Sequence, residues 1–263
     1  MAGEGTAFHL PGSGRDVRRY IFGLFVGDSP DDLPANAPIK MDFAAFCGTA
    51  FFITRNGIAL SAAHCIPNEI PAGKALLAAT WNGSAPLWIR VDQCLVPIGS
   101  DLAILKLTAG LTSYFEPSFE RPTIGQDVST LGFPSTIENL GEYDLRCLKG
   151  HITAAARPNQ DLDLSFPVPR GMSGSPLLSS DGRAIGLVRG TNRSELVEEE
   201  TEDSGGSNAT RIVTKRVIQY GAAEGLWRYA DWEFPDATGS QGLSRFIEAR
   251  NRVDGQRAAS RSR

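Results

Sequence analysis

Long apolar runs are missing from this chain of 263 residues. The longest, Tyr20 to Val26, is far short of the roughly 20 residues a membrane-spanning helix requires, so no membrane partner is expected. An excess of positive charge is missing too. At a formal charge of −4, nothing draws the chain to nucleic acid or to an anionic bilayer. No internal repeat is legible. Cysteine is scarce, and its four residues allow three full pairings that sequence alone does not choose between. In a reducing compartment all four would act as small core hydrophobes. The acidic run from Glu195 to Asp203 lacks calcium-loop spacing, and neither a metal nor a cofactor is expected.

What is present reads as globular and all-β. The length suits one large domain or two modest ones, with ample core. Short apolar segments alternate with turn signals: Tyr20 to Val26, Phe43 to Thr54, Ile58 to Ser61, Ala75 to Thr80, Leu87 to Asp92 and Leu102 to Leu107. Arg55-Asn56-Gly57 reads as a hairpin turn between the second and third. A second series follows at Asp127 to Gly132, Asp144 to Thr153, Asp161 to Val168, Ser175 to Leu178, Arg183 to Arg189 and Thr210 to Val213. So many short strands argue for barrels. Residues 108–121 read as the connector, residues 191–208 as a mobile polar surface loop, and Lys215 to Leu226 as a helix. Leu243, Phe246, Ile247 and Arg250 fit a short amphipathic helix, ahead of a last ten residues expected to be disordered. The N-terminal arm is expected to be loose. Arg18-Arg19 and the apolar run behind it have the outline of a short signal peptide, but Glu4, Asp16 and Asp28 surround it and no small-residue cleavage site follows. The run reads better as a strand.

Three stretches carry chemistry. Gly171-Met172-Ser173-Gly174-Ser175-Pro176 places a glycine-flanked serine in a tight loop. A serine hydroxyl needs a base to take its proton, and the oxyanion it generates needs backbone N–H donors. Glycines let the chain turn sharply enough to supply those donors. Taken alone the hexapeptide fits an ordinary turn equally well. Ala59-Leu60-Ser61-Ala62-Ala63-His64-Cys65 brings a histidine to the end of a strand, and Asp101 opens the alternating run Leu102-Ala103-Ile104-Leu105-Lys106-Leu107. Together they give a base, an orienting carboxylate and a nucleophile in the order His, Asp, Ser. An α/β-hydrolase would run in a different order and would want glycine where Ser175 stands.

With Cys47-Gly48-Thr49-Ala50 added, these motifs resemble the chymotrypsin-like (trypsin-type) serine peptidases, in a bacterial-type version, over roughly Tyr20 to Tyr220. The resemblance implies two Greek-key β-barrels, with a short C-terminal helix and polar tail beyond them. It divides the chain into an arm (1–17), a first barrel with His64 and Asp101 (18–115), a second barrel with Ser173 (116–226) and a C-terminal extension (227–263). It implies an endopeptidase acting on protein or peptide substrates, with Gly171 and Ser173 N–H groups as oxyanion donors. Cys47 and Cys65 take the positions that are bridged in extracellular members. The primary pocket would be built around Pro167, Val168, Arg170, Val188, Arg189 and Gly190. No aspartate lies there, so Lys or Arg specificity is not implied, and a small or apolar residue is the expectation; His151 reads as a strand residue.

The chain departs from the family pattern in ways that matter. Met172 stands where zymogen-type members have an aspartate that pairs with a new N-terminal amine. An enzyme formed without that cleavage is therefore expected, cytoplasmic rather than secreted, and held in check by a regulatory protein or by its substrate's rarity. Arg189 stands about where many members have a serine touching the catalytic aspartate. The competing reading is an inactive homologue that binds peptides. An esterase would share the acyl-enzyme chemistry, and comparing ester with peptide turnover separates it.

Overall fold

A computed structural model describes residues 17–29, 45–82, 85–108, 113–135, 145–155, 161–202, 210–236 and 239–261. The N-terminal arm and residues 203–209 of the acidic segment lie outside them. Six strands make the first barrel: β1 (Ile21–Asp28), β2 (Phe46–Phe52), β3 (Ile58–Ala62), β4 (Lys74–Asn82), β5 (Ala85–Leu95) and β6 (Leu102–Leu107). They close antiparallel in the order β1-β2-β3-β6-β5-β4. The second barrel contains β7 (Asp127–Gly132), β8 (Arg146–Ala155), β9 (Leu162–Leu164), β10 (Pro176–Ser179), β11 (Ala184–Glu202) and β12 (Thr210–Gly225), closing as β10-β11-β12-β9-β8-β7. A hairpin of β13 (Glu233–Asp236) and β14 (Gly239–Gly242) leads into helix α1 (Leu243–Arg261). The all-β, two-barrel expectation holds.

Strand alternation explains why the first barrel is so apolar. In β6, Ala103, Leu105 and Leu107 face the barrel interior with Phe22, Leu24 and Phe52, while Leu102 and Ile104 face a second core. That second core joins both barrels. It unites Leu60 and Ile104 with Leu131, Leu178 and Leu187, and with Leu226, Phe246 and Ile247 from the C-terminal region. Strands covered on both faces read as near-continuous hydrophobic runs. Fully burying one such side chain stabilises by about 1.5–3 kcal/mol. The site described below therefore sits on a rigid frame.

Several local expectations are corrected. Lys215 to Gly225 is not helix but the end of β12, paired with β11 and, at Gly221 to Ala223, with β9, and Leu226 opens a 3-10 turn. Two glycines lower its helix propensity, and the closed barrel supplies partners on both edges. A Cβ at Gly221 would lie 2.6 Å from the Phe166 carbonyl oxygen, so β12 needs glycine to approach so closely. Residues 191–202, where the sequence suggests a polar loop, are strand: β11 continues to Glu202, with Glu202 opposite Thr210. Glutamates are depleted in strands, but pairing with β12 residue by residue supplies the backbone partners of this stretch. Strand β9 is three residues, much shorter than the run from Asp161 to Val168 suggested. Helix α1 is longer than expected and reaches Arg261, so the backbone of residues 254–261 is helical where disorder was expected. Its anchor is the fully buried Leu243, with Phe246 and Ile247 beside it.

Candidate active site

Register brings two of the three residues together before any side chain is considered. Strands β3 and β6 pair with Ala62 opposite Leu102. The residues just beyond β3 and just before β6 therefore emerge at the same barrel end. A 3-10 turn at Ala63–Cys65 carries His64, and Asp101 immediately precedes β6. Ala63 N–H donates to the Asp101 carbonyl at 2.7 Å, and His64 N–H to Asp101 Oδ1 at 3.0 Å. The imidazole follows: His64 Nδ1 lies 2.8 Å from Asp101 Oδ2 and 3.0 Å from Oδ1. Asp101 is nearly buried, at 10% exposure, whereas His64 is 49% exposed and keeps its outer edge open to solvent.

Ser173 arrives from the second barrel. Its loop is clamped to the first by Thr49, whose N–H donates to the Ser173 carbonyl at 2.9 Å and whose hydroxyl donates to the Gly171 carbonyl at 3.1 Å. Gly174 shows why the loop needs glycine. Its φ is +82°, and a Cβ there would lie 2.1 Å from the Thr49 carbonyl oxygen. Two further hydrogen bonds fix the peptide planes on either side of Met172. Ser135 N–H holds the Arg170 carbonyl at 2.7 Å, and Ser175 N–H holds the Met172 carbonyl at 3.0 Å. In a trans peptide the N–H points opposite to its C=O. The Gly171 and Ser173 N–H groups are thus turned the other way, and among the described hydrogen bonds neither donates to a protein acceptor. The Ser173 hydroxyl donates to the Arg189 carbonyl at 2.8 Å, not to His64.

Arg189 sits at a bulge between Val188 and Gly190, a device that re-aims a side chain. Its Nε lies 2.8 Å from Asp101 Oδ2, and its Nη1 2.5 Å from Asp161 Oδ2. The side chain expected at a pocket wall is thus committed to two carboxylates. The other pocket residues divide. Val188 is buried in the second-barrel core, Pro167 and Arg170 are exposed, and Val168 is buried and tied to Thr191. Thr191 Oγ1 accepts from Val168 N–H and donates to its carbonyl, both at 2.7 Å. Gly190 continues the β11 edge beside Arg189. His151 is an exposed residue of β8.

Sequence reasoning missed Glu224. At 2% exposure it accepts the Asp101 N–H on Oε2 at 3.1 Å, while Oε1 takes Arg228 Nη1 at 2.9 Å and the Tyr229 hydroxyl. A lone acid among Gly221, Ala222, Ala223 and Gly225 was the available signal. Cys47 and Cys65 are free thiols, so the bridge implied by the resemblance is not formed. Cys65 donates to the Ser173 carbonyl at 3.5 Å instead. Burial first, then the neighbouring Cys65, pushes Cys47 up to about 11, which keeps it an unreactive thiol.

The electrostatics favour an ion pair. The Asp101 hydrogen bond, followed by that of Cys65, raises His64 from 6.5 to about 10. Burial pushes Asp101 up, but hydrogen bonds from His64 and Arg189 outweigh it and bring the carboxyl down to about 2. A base must be neutral to take a proton. Because the folded pKa of His64 is raised, its neutral fraction grows as pH climbs toward about 10. The rate at which Ser173 is phosphonylated by a fluorophosphonate, with loss of fluoride, is expected to keep rising from pH 7 to pH 9.5. A plateau already reached at pH 7 would contradict this assignment.

The chain belongs to the trypsin-like peptidase domain family, whose model matches residues 48–187. Uncharacterized protein y4bJ of Sinorhizobium fredii (strain NBRC 101917 / NGR234) is 29% identical over 150 residues, 55% of this chain and 22% of that protein. Among solved structures, the HtrA-type protease AlgW with decapeptide is similar at 16% identity and a TM-score of 0.51, over 80% of this chain and 62% of that one. The serine endoprotease from Yersinia pestis is 24% identical with a TM-score of 0.45, over 66% and 55%. The chain thus spans less than a quarter of the curated relative, and rather more than half of either solved chain.

Proposed function

We propose that this chain is a serine endopeptidase that works through an acyl-enzyme, with Ser173 as nucleophile, His64 as general base and acid, and Asp101 as orienting carboxylate. The observation that carries the reading is the convergence of the His64–Asp101 pair with a loop whose Gly171 and Ser173 N–H groups are turned away from their neighbouring carbonyls and have no acceptor among the described residues. An extended substrate would add to the β11 edge beyond Leu187, where pairing with β10 ends. Ser173 Oγ then turns from the Arg189 carbonyl to His64 Nε2 and attacks the scissile carbonyl carbon. Its proton passes to His64, and the carbonyl oxygen becomes an oxyanion on the two N–H groups. Collapse breaks the C–N bond as His64 protonates the leaving amine. Water, deprotonated by His64, releases the acid and restores the serine. Asp101 holds the imidazole tautomer throughout. Val168 is buried and tied to Thr191, and no carboxylate stands among Pro167, Val168, Arg170, Val188, Arg189 and Gly190, which supports a small or apolar residue at the cleaved position.

One observation favours the second reading, a peptide-binding homologue without turnover: the Ser173 hydroxyl rests on the Arg189 carbonyl. Incubation with a denatured protein and with a matched peptide ester separates the possibilities. Peptide-bond cleavage after small or apolar residues is the expected result. Saturable binding without cleavage of either substrate supports the binding module, and ester turnover alone supports an esterase.

A further inference from the structure

We infer that Arg189 is a positioning residue of this site, fixing the Asp101 carboxylate against His64 and tying it across the cleft to Asp161. The inference deepens the peptidase reading and rests on it for its catalytic meaning. Asp101 belongs to the first barrel, whereas Asp161 and Arg189 belong to the second. The guanidinium is therefore an electrostatic latch between them, Nε on one carboxylate at 2.8 Å and Nη1 on the other at 2.5 Å. Its planar fork suits two directed bonds at once, which an ammonium does not reproduce. The same residue presents its carbonyl to the Ser173 hydroxyl, so one bulged position touches both the carboxylate and the nucleophile. Burial pulls the Arg189 pKa down and the two carboxylates push it further up, so the group stays charged.

A charge in that place also sets how basic His64 is. Asp101 favours the imidazolium, and Arg189 opposes it by sharing the same Oδ2. The other groups around the pair are Cys65 on the histidine turn, Asp163 beside Asp161 on β9, and Glu224 with Arg228 behind the Asp101 amide. Glu224 and Arg228 are paired with each other, so among the described residues Arg189 is the cation, besides His64 itself, in direct contact with the Asp101 carboxylate.

The test is a proton NMR titration of the histidine C–H signals, His64 being assigned by its disappearance in His64→Gln. Arg189→Ala is expected to raise the His64 midpoint by about one pH unit, because Asp101 loses its competing partner. Asp161→Asn is expected to lower it by about half a unit, because Arg189 then gives its charge to Asp101 alone. Arg189→Lys keeps the charge but not the fork, so the midpoint stays while fluorophosphonate labelling slows by about tenfold. A midpoint unmoved in Arg189→Ala overturns the inference. If that variant does not fold, an unmoved midpoint in Asp161→Asn does so. Shifted midpoints in a protein that never labels would sink the peptidase reading while leaving the electrostatic latch in place.

Discussion

Ser173→Ala is expected to lower peptide hydrolysis by at least about 10⁴-fold while changing thermal stability little. The large effect follows from the chemistry. Without Oγ no acyl-enzyme forms, and the positioned N–H groups and His64 can only assist direct attack by water, a residual activity of about 10³–10⁴ over the uncatalysed rate in triads of this kind. The small effect follows from the contacts. The hydroxyl donates one hydrogen bond, to the Arg189 carbonyl, from a half-buried position. Such a bond is worth about 1 kcal/mol net. The loop keeps its shape because Gly174 N–H, bound to the Val188 carbonyl at 2.8 Å, and the Thr49 clamps do not involve the side chain. Retained turnover in a folded Ser173→Ala protein would remove Ser173 from the mechanism.

Asp101→Asn is expected to lower turnover by about 10⁴-fold and, unlike the serine change, to destabilise the protein by about 2–4 kcal/mol. Both carboxylate oxygens are surrounded by donors. Oδ1 accepts from the His64 backbone N–H and Nδ1, and Oδ2 accepts from His64 Nδ1 and Arg189 Nε. Whichever way the amide is turned, its NH₂ meets a donor. If it faces the imidazole, the tautomer inverts and Nε2 carries a proton where it must accept one. If it faces Arg189, a guanidinium already half-buried loses one of its two carboxylates. The stability loss has a definite pH dependence. The folded pKa of Asp101, about 2, lies below its ordinary value of 3.8, so the wild-type advantage is present above 3.8 and fades as pH falls toward 2. Chemical denaturation of both proteins at pH 7 and pH 2.5 reads it: the difference shrinks at the lower pH. A pH-independent difference would point to packing rather than charge.

How much was legible in the sequence varied with the kind of signal. Leu102–Leu107 and Asp127–Gly132 were read to the residue, because strand periodicity and turn residues agree there. The meeting of His64 with Asp101 was legible because a strand-end histidine and a strand-start aspartate each impose local composition, and the tight Ser173 loop because its glycines do. Lys215 to Leu226 failed for the opposite reason. Its alanines and polar residues suit a helix locally, and only pairing with β11 and β9 makes it strand. Glutamates from Glu195 to Glu202 hid β11 in the same way. Glu224 was invisible because its role depends on a backbone amide 123 residues away. Arg189 is expected at a pocket wall from sequence, but a bulge turns its side chain onto Asp101 and Asp161, and no pattern of residue types signals that.

The central claim, that these residues form an assembled site, is tested most directly by fluorophosphonate labelling of the purified chain at pH 9, with Ser173→Ala and His64→Ala beside it. Stoichiometric modification of the wild type, mapped by mass spectrometry to Ser173, is expected, with no modification of either variant. An unlabelled wild type whose Ser173 hydroxyl stays on the Arg189 carbonyl, or an adduct on any other residue, would contradict it.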